Sequence, residues 1–219
     1  MTELTIEQVD VDGAIREGAA TIEGDPRASF ISRAALGAAG LMSGGAALAA
    51  LTGAASAQVS ANDASILNFA LMLEYPERDF YRQALTQGGA GKGEQRRFTE
   101  TVAAHETAHA AALVKVLGSS AILAPTFDFY ATVVDPAKFR ATSITVEDTG
   151  VKAYKGQVPL LQSPVILAAA LSIHSAEADH AAWIRRISGA DPTYTGAFET
   201  PLTKDQVLAN AMATGFIVS

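Results

Sequence analysis

The chain has 219 residues, 49% hydrophobic and 18% charged, with 16 basic against 23 acidic side chains and a formal net charge of -7. That is enough apolar material for one sizeable core, and it excludes a disordered or fibrous chain. Adjacent basic residues occur only at Arg96-Arg97 and Arg185-Arg186, which leaves no electrostatic footprint for a nucleic acid. Without cysteine there is no disulfide framework, zinc finger, iron-sulfur cluster or thiol nucleophile, so any metal must be held by carboxylates and the 4 histidines.

The apolar residues concentrate first near the N-terminus. Residues 34–51 carry no charge and consist of eight Ala, four Gly, four Leu, one Met and one Ser. The run approaches the ~20 residues that span a bilayer, but Ala and Gly contribute little transfer free energy, so it reads better as an export signal than as a permanent anchor. Arg27 and Arg33 precede it, and Ala55-Ser56-Ala57 offers a small-residue cleavage site before Gln58. The segment Arg27-Ala28-Ser29-Phe30-Ile31 resembles a twin-arginine signal with Ala28 in place of the second arginine. A general secretory signal and a retained apolar segment stay open as alternatives; a retained segment would sit in a membrane or between subunits. The expectation is a leader at residues 1–57 and a mature domain at 58–219, exported to the periplasm or beyond, or cytoplasmic if the degenerate signal is not used.

From Asn62 onward apolar positions recur at three and four, which predicts an all-α domain. A first helix opens after Asn62-Asp63, runs to about Thr86 and is kinked by Pro76; Gly88 and Gly89 stop it. A second covers about 95–117 and ends at Gly118. Pro125 and Pro136 mark a long crossover over 119–142, followed by a short third helix at about 143–155 that ends at Gly156. The fourth spans 165–187, and a short one follows near 204–213. Short links within the first and second pairs, and a long one between them, are the ferritin-like wiring of a four-helix bundle.

In the second helix Val102, Glu106, His109, Leu113 and Val116 share one face. In the fourth, Ile166, Ala170, Ile173, Glu177, His180, Ile184 and Ile187 keep an unbroken four-three spacing, with the polar pair in the middle of the apolar seam. An ionised carboxylate there is costly unless a partner or a metal compensates it. The first helix adds Glu74 on the face of Leu67, Ala70, Leu71 and Tyr81, and the third adds Glu147 between Ile144 and Val151. One Glu from each of two helices plus E-x-x-H from each of the other two is the ligand set of carboxylate-bridged dinuclear bundles, and two iron or manganese ions suit those donors best. The metal ligands expected are therefore Glu74, Glu106, His109, Glu147, Glu177 and His180. Glu77, one turn beyond Glu74, is an alternative to it. His105 is read as a surface or outer-layer residue, His174 as structural, Tyr75, Tyr81 and Tyr154 as core residues with satisfied hydroxyls, and Trp183 as a packing anchor.

The stretches LNFALMLEYPE (67–77), HETAH (105–109), EDTGVKAYKG (147–156) and EADHAAW (177–183), with FETPL (198–202) behind them, resemble the ferritin-like domain family of the desiccation-related type. The resemblance implies the bundle and bound iron or manganese. Two functions follow as expectations: redox chemistry on peroxide, dioxygen or ferrous iron in stress protection, or a non-catalytic stress protein whose metal site is structural or vestigial. Expected partners are metal ions, small oxidants and a second copy of the chain in a homo-oligomer, with a membrane only if residues 34–51 are retained. No phosphate loop, GxSxG turn or Ser/His/Asp set is present, which disfavours a hydrolase.

Overall fold

The computed structural model of the chain describes residues 59–193 and 197–218, so the expected leader at 1–57 lies outside the described residues. Among the described residues there are five α-helices: α1 (Ala61–Gln87), α2 (Gly93–Leu117), α3 (Pro136–Gln157), α4 (Pro164–Ile187) and α5 (Lys204–Ala213). Extended pairing among them is limited to an isolated antiparallel bridge between Phe127 and Ile217. None of these helices is long and apolar enough to cross a membrane.

The helix starts follow side-chain capping. Ser60, rather than Asn62 or Asp63, caps α1, its hydroxyl accepting from the Asp63 N–H at 3.1 Å. Asp63 lies inside the first turn and is buried, where its carboxylate accepts the N–H groups of Gln162 and Ser163 at 2.8 and 3.0 Å and ties the start of α4 to the start of α1. Pro76 removes one N–H from the α1 ladder, yet the helix runs unbroken to Gln87, where Gly88 in the left-handed conformation ends it.

The third helix is longer than expected. Pro136 opens it instead of lying in the crossover, because proline has no N–H to lose at the first helical position, and the Asp135 carboxylate caps it by accepting from Ala137 and Lys138. Gly156 lies inside its last turn, and the helix stops only at Gln157. The crossover accordingly shortens to 119–135.

Contacts between the helix ends fix the topology. Asn68 of α1 bonds the backbone of Ser120 and Ile122 just past α2, so α2 runs back along α1. The side-chain amide of Gln95, near the start of α2, donates to the carbonyls of Gly89 and Pro136, so α3 starts where α2 starts and the crossover travels the length of the bundle. Helices α1 and α4 thus point one way, and α2 and α3 the other. At one end Phe80, Tyr81, Phe98, Phe129 and Phe139 form an aromatic cluster, with Phe80 and Phe139 stacked at 5.2 Å between ring centres. At the other end Leu67, Leu113, Ile166 and Ile173 fill the core. Helix α5 closes over α1 and α3 through Val207, which packs with Phe69, Leu73 and Ala153.

Candidate metal centre

Between the aromatic and aliphatic ends, the middle turns of four helices present seven polar side chains to one another. Helix α1 supplies Glu74 and Glu77, α2 supplies Glu106 and His109, α3 supplies Glu147, and α4 supplies Glu177 and His180. Glu74, Glu106, Glu147 and Glu177 have 0% exposure, Glu77 4% and His180 2%. Their helices place them there for the reason that makes each seam apolar: steps of three and four residues return to the same face.

His109 Nδ1 lies 3.3 Å from Glu74 Oε2, 3.1 Å from Glu106 Oε2 and 3.3 Å from Glu177 Oε1. His180 Nδ1 lies 3.2 Å from Glu106 Oε1 and 3.4 Å from Glu147 Oε2. Two groupings result that can hold a metal ion, Glu74–Glu106–His109–Glu177 and Glu106–Glu147–His180, each with its ligating atoms within 4.8 Å of one another. Glu106 belongs to both, with one oxygen turned to each histidine. All six residues expected from the sequence are therefore brought together.

The inward atoms lack ordinary partners. Glu74 Oε2, Glu106 Oε1, Glu147 Oε2, both oxygens of Glu177 and His180 Nδ1 are buried without an aligned hydrogen bond, although several stand within ion-pairing distance. Buried polar atoms left this way cost free energy, and six of them facing a shared space is the pattern of a site that closes around cations. The outer oxygens are satisfied differently. The hydroxyl of Tyr154 on α3 donates to Glu74 Oε1, and that of Tyr81 on α1 donates to Glu147 Oε1, in short hydrogen bonds that leave the second oxygen of each carboxylate pointing inward.

This arrangement is an internal repeat. Tyr81 follows Glu74 by seven residues, as Tyr154 follows Glu147, and each tyrosine serves the other helix's glutamate. The repeat breaks one turn after each glutamate, where α1 has Glu77 and α3 has Gly150. A Cβ on Gly150 would stand 2.9 Å from Glu177 Oε2 and 3.3 Å from Glu77 Oε1, so the missing side chain is what gives the fifth carboxyl its room.

The protonation pattern follows from burial and charge. Burial raises the Glu74 carboxyl to about 7, against the pull of His109. Burial, then repulsion from neighbouring carboxylates beginning with Glu177, pushes Glu77 well above the usual range. Glu177 is raised well above it too, by burial and by Glu106. Glu147 is raised by burial, opposed by His180. For Glu106 burial is outweighed by the attraction of His109 and His180, 3.1 and 3.2 Å from its two oxygens, which holds it below its ordinary value. Burial would lower both histidines, but the carboxylates prevail and raise His109 strongly and His180 to about 11. In the absence of cations, the centre holds its charge down by retaining protons. The two groupings contain four carboxyls, and Glu77 is a fifth buried beside them.

The remaining sequence candidates separate clearly. Glu74 and Glu77 are both buried, and of the two Glu74 enters a grouping that could hold a metal ion. His105 is exposed and touches the centre from outside, with Nδ1 2.8 Å from His180 Nε2. His174 stays outside both groupings, backed by the Val151 backbone. The hydroxyl of Tyr75 donates to the Ile122 carbonyl at 3.1 Å, away from the centre. Trp183 packs edge-on against Phe98 at 5.4 Å, as an anchor should.

A family model described as a ferritin-like domain matches residues 62–190, more than half of the chain and all of the four-helix centre. The chain belongs to the ferritin-like domain family. No curated protein sequence matches it. The matched residues begin in the first turn of α1 and end just past α4, so α5 lies outside the match.

Proposed function

We propose that this ferritin-like protein binds two iron or manganese ions through Glu74, Glu106, His109, Glu147, Glu177 and His180, and uses them in redox chemistry on dioxygen, peroxide or ferrous iron. The observation that carries this reading is the set of six inward atoms, buried and without aligned partners, contributed by all four helices. Hard carboxylate oxygens with one imidazole per ion suit iron and manganese. Such a pair, when bound, supplies reversible electron transfer to a small oxidant.

The protein's own part is to hold and insulate. Glu106 faces both histidines and is suited to bridging. Tyr81 and Tyr154 orient Glu147 and Glu74 by binding their outer oxygens, and burial pushes the Glu77 carboxyl upward beside Glu177. Next to Tyr154, a cavity of about 30 Å³ lined by Leu67, Ala70, Leu113, Ile166 and Ile173 adds apolar space suited to a small uncharged oxidant. A role in stress protection, membership of the desiccation-related branch, and export with loss of residues 1–57 belong to the same proposal.

The test is metal analysis of protein purified without added metal, with anomalous scattering measured at the iron and manganese edges, followed by peroxide-consumption and ferrous-oxidation assays. Two ions per chain and turnover of one of these substrates are expected. A chain that takes up no metal at saturating iron or manganese refutes the reading. Two bound ions without turnover would favour the structural alternative.

A further inference from the structure

The two histidines of the centre are held differently. His180 turns Nδ1 to Glu106 and Glu147, while its Nε2 lies 2.8 Å from Nδ1 of His105. The two rings stand 5.1 Å apart between centres, tilted by 31°. His105 immediately precedes Glu106; at the matching place before Glu177, α4 carries Ala176. Among the described residues, nothing forms a comparable hydrogen bond to the outer nitrogen of His109, whose only aligned bond is from Nδ1 to Glu106 at 3.1 Å.

The outer nitrogen of a ligating histidine normally donates to a carboxylate or carbonyl, which fixes both the tautomer and the ring orientation. Here the partner is a second imidazole, presented from the surface. Resting on the metal centre proposed above, we propose that His105 is a positioning residue: its Nδ1 accepts the N–H of His180 Nε2 and holds His180 Nδ1 toward the Glu106–Glu147 position. A neutral imidazole protonated at Nε2 carries its lone pair on Nδ1, the atom already aimed inward. Rotating the ring by half a turn would break the bond to His105 and present a carbon to the carboxylates. Only one of the two cation positions depends on this device, so its loss is felt at one ion and not at both.

The experiment uses the full chain, with His105→Ala and His105→Asn; the asparagine keeps an acceptor oxygen close to the place of Nδ1. Manganese is titrated calorimetrically, and occupancy at each position is read from anomalous scattering. In His105→Ala the ion at Glu106–Glu147–His180 should bind about ten- to a hundredfold more weakly, with the ion at Glu74–Glu106–His109–Glu177 changed by less than about twofold. His105→Asn should recover most of the loss. Equal weakening at both positions, or none at either, overturns the assignment.

A second measurement needs no metal. In chelator-treated parent protein the His180 Nε2 proton should be visible by nitrogen-15 imidazole spectroscopy and protected from solvent exchange, and His105→Ala should abolish that protection. Unchanged protection overturns the positioning role. A parent that binds neither manganese nor, in a parallel anaerobic titration, ferrous iron refutes the proposed metal centre itself, whereas a parent that binds two ions, with His105→Ala losing neither, refutes only the role of His105.

Discussion

Gly150→Ala is the substitution for which the geometry makes the sharpest demand. In an open helix interior this change gains about 1 kcal/mol of helix propensity. At Gly150 the new methyl would stand 2.9 Å from Glu177 Oε2 and 3.3 Å from Glu77 Oε1, closer than carbon and oxygen normally approach. Both carboxyls are buried, so neither can swing into solvent, and overpacking of this kind costs about 1–3 kcal/mol. The net expectation is a loss of roughly 0–2 kcal/mol, or a fall in melting temperature of about 2–4 °C per kcal/mol for a chain of this size.

The sharper effect is on the centre, because the atom displaced is an unpartnered oxygen of a proposed ligand, and manganese or iron affinity should fall with it. Urea unfolding and metal titration of the same preparation measure both. Removing the second carboxyl relieves part of the crowding, so the Gly150→Ala, Glu77→Ala double variant should be more stable than the sum of the single changes predicts. A Gly150→Ala protein that gains the full helix-propensity increment, with metal binding unaltered, would show that α3 does not pack against these carboxylates and would refute the reasoning.

Glu177→Ala should reduce bound metal below two ions per chain while leaving the circular dichroism of the bundle intact, because the apolar seam of α4 survives; unaltered metal content removes Glu177 from the ligand set. Stability of the chelated protein should fall as pH rises. Glu74 is raised from 4.5 to about 7, so the folded state binds the extra proton and loses that advantage between those values, on the order of 3 kcal/mol. His180, raised from 6.5 to about 11, contributes stability fully present below 6.5 and lost as pH approaches 11. Metal uptake displaces the same protons and should tighten with pH; a urea midpoint of the chelated protein that climbs from pH 5 to 8 contradicts this sign. Tyr154→Phe leaves the outer oxygen of Glu74 unpartnered and should destabilise the protein by about 1–3 kcal/mol, read from the same urea curves; a neutral substitution would mean the hydrogen bond contributes nothing. Mass spectrometry of the protein from its native host should find an N-terminus at Gln58, and an intact N-terminus would refute cleavage after Ala57.

Much of the domain was legible because helical periodicity is local. Steps of three and four residues put Glu106 with His109, and Glu177 with His180, on faces that are otherwise apolar, and the cost of burying them announced a centre before any neighbour was known. The same periodicity located α1, α2, α4 and α5 closely. It misses the start of α3 because Pro136 reads as an interruption of the pattern, whereas Asp135 beside it supplies the cap that makes proline a favourable first residue. The seven-residue step from Glu74 to Tyr81, repeated from Glu147 to Tyr154, was also present in the chain, but its meaning was not, since each tyrosine meets the glutamate of the opposite helix. Whether Glu77 would compete with Glu74, whether Gly150 was a weak helix position or a necessary gap, and which nitrogen of His180 would face His105 were decided only in tertiary structure. Those outcomes depend on how far each helix is rotated and shifted against its neighbours, and packing across the bundle sets that rotation, which no single helix encodes.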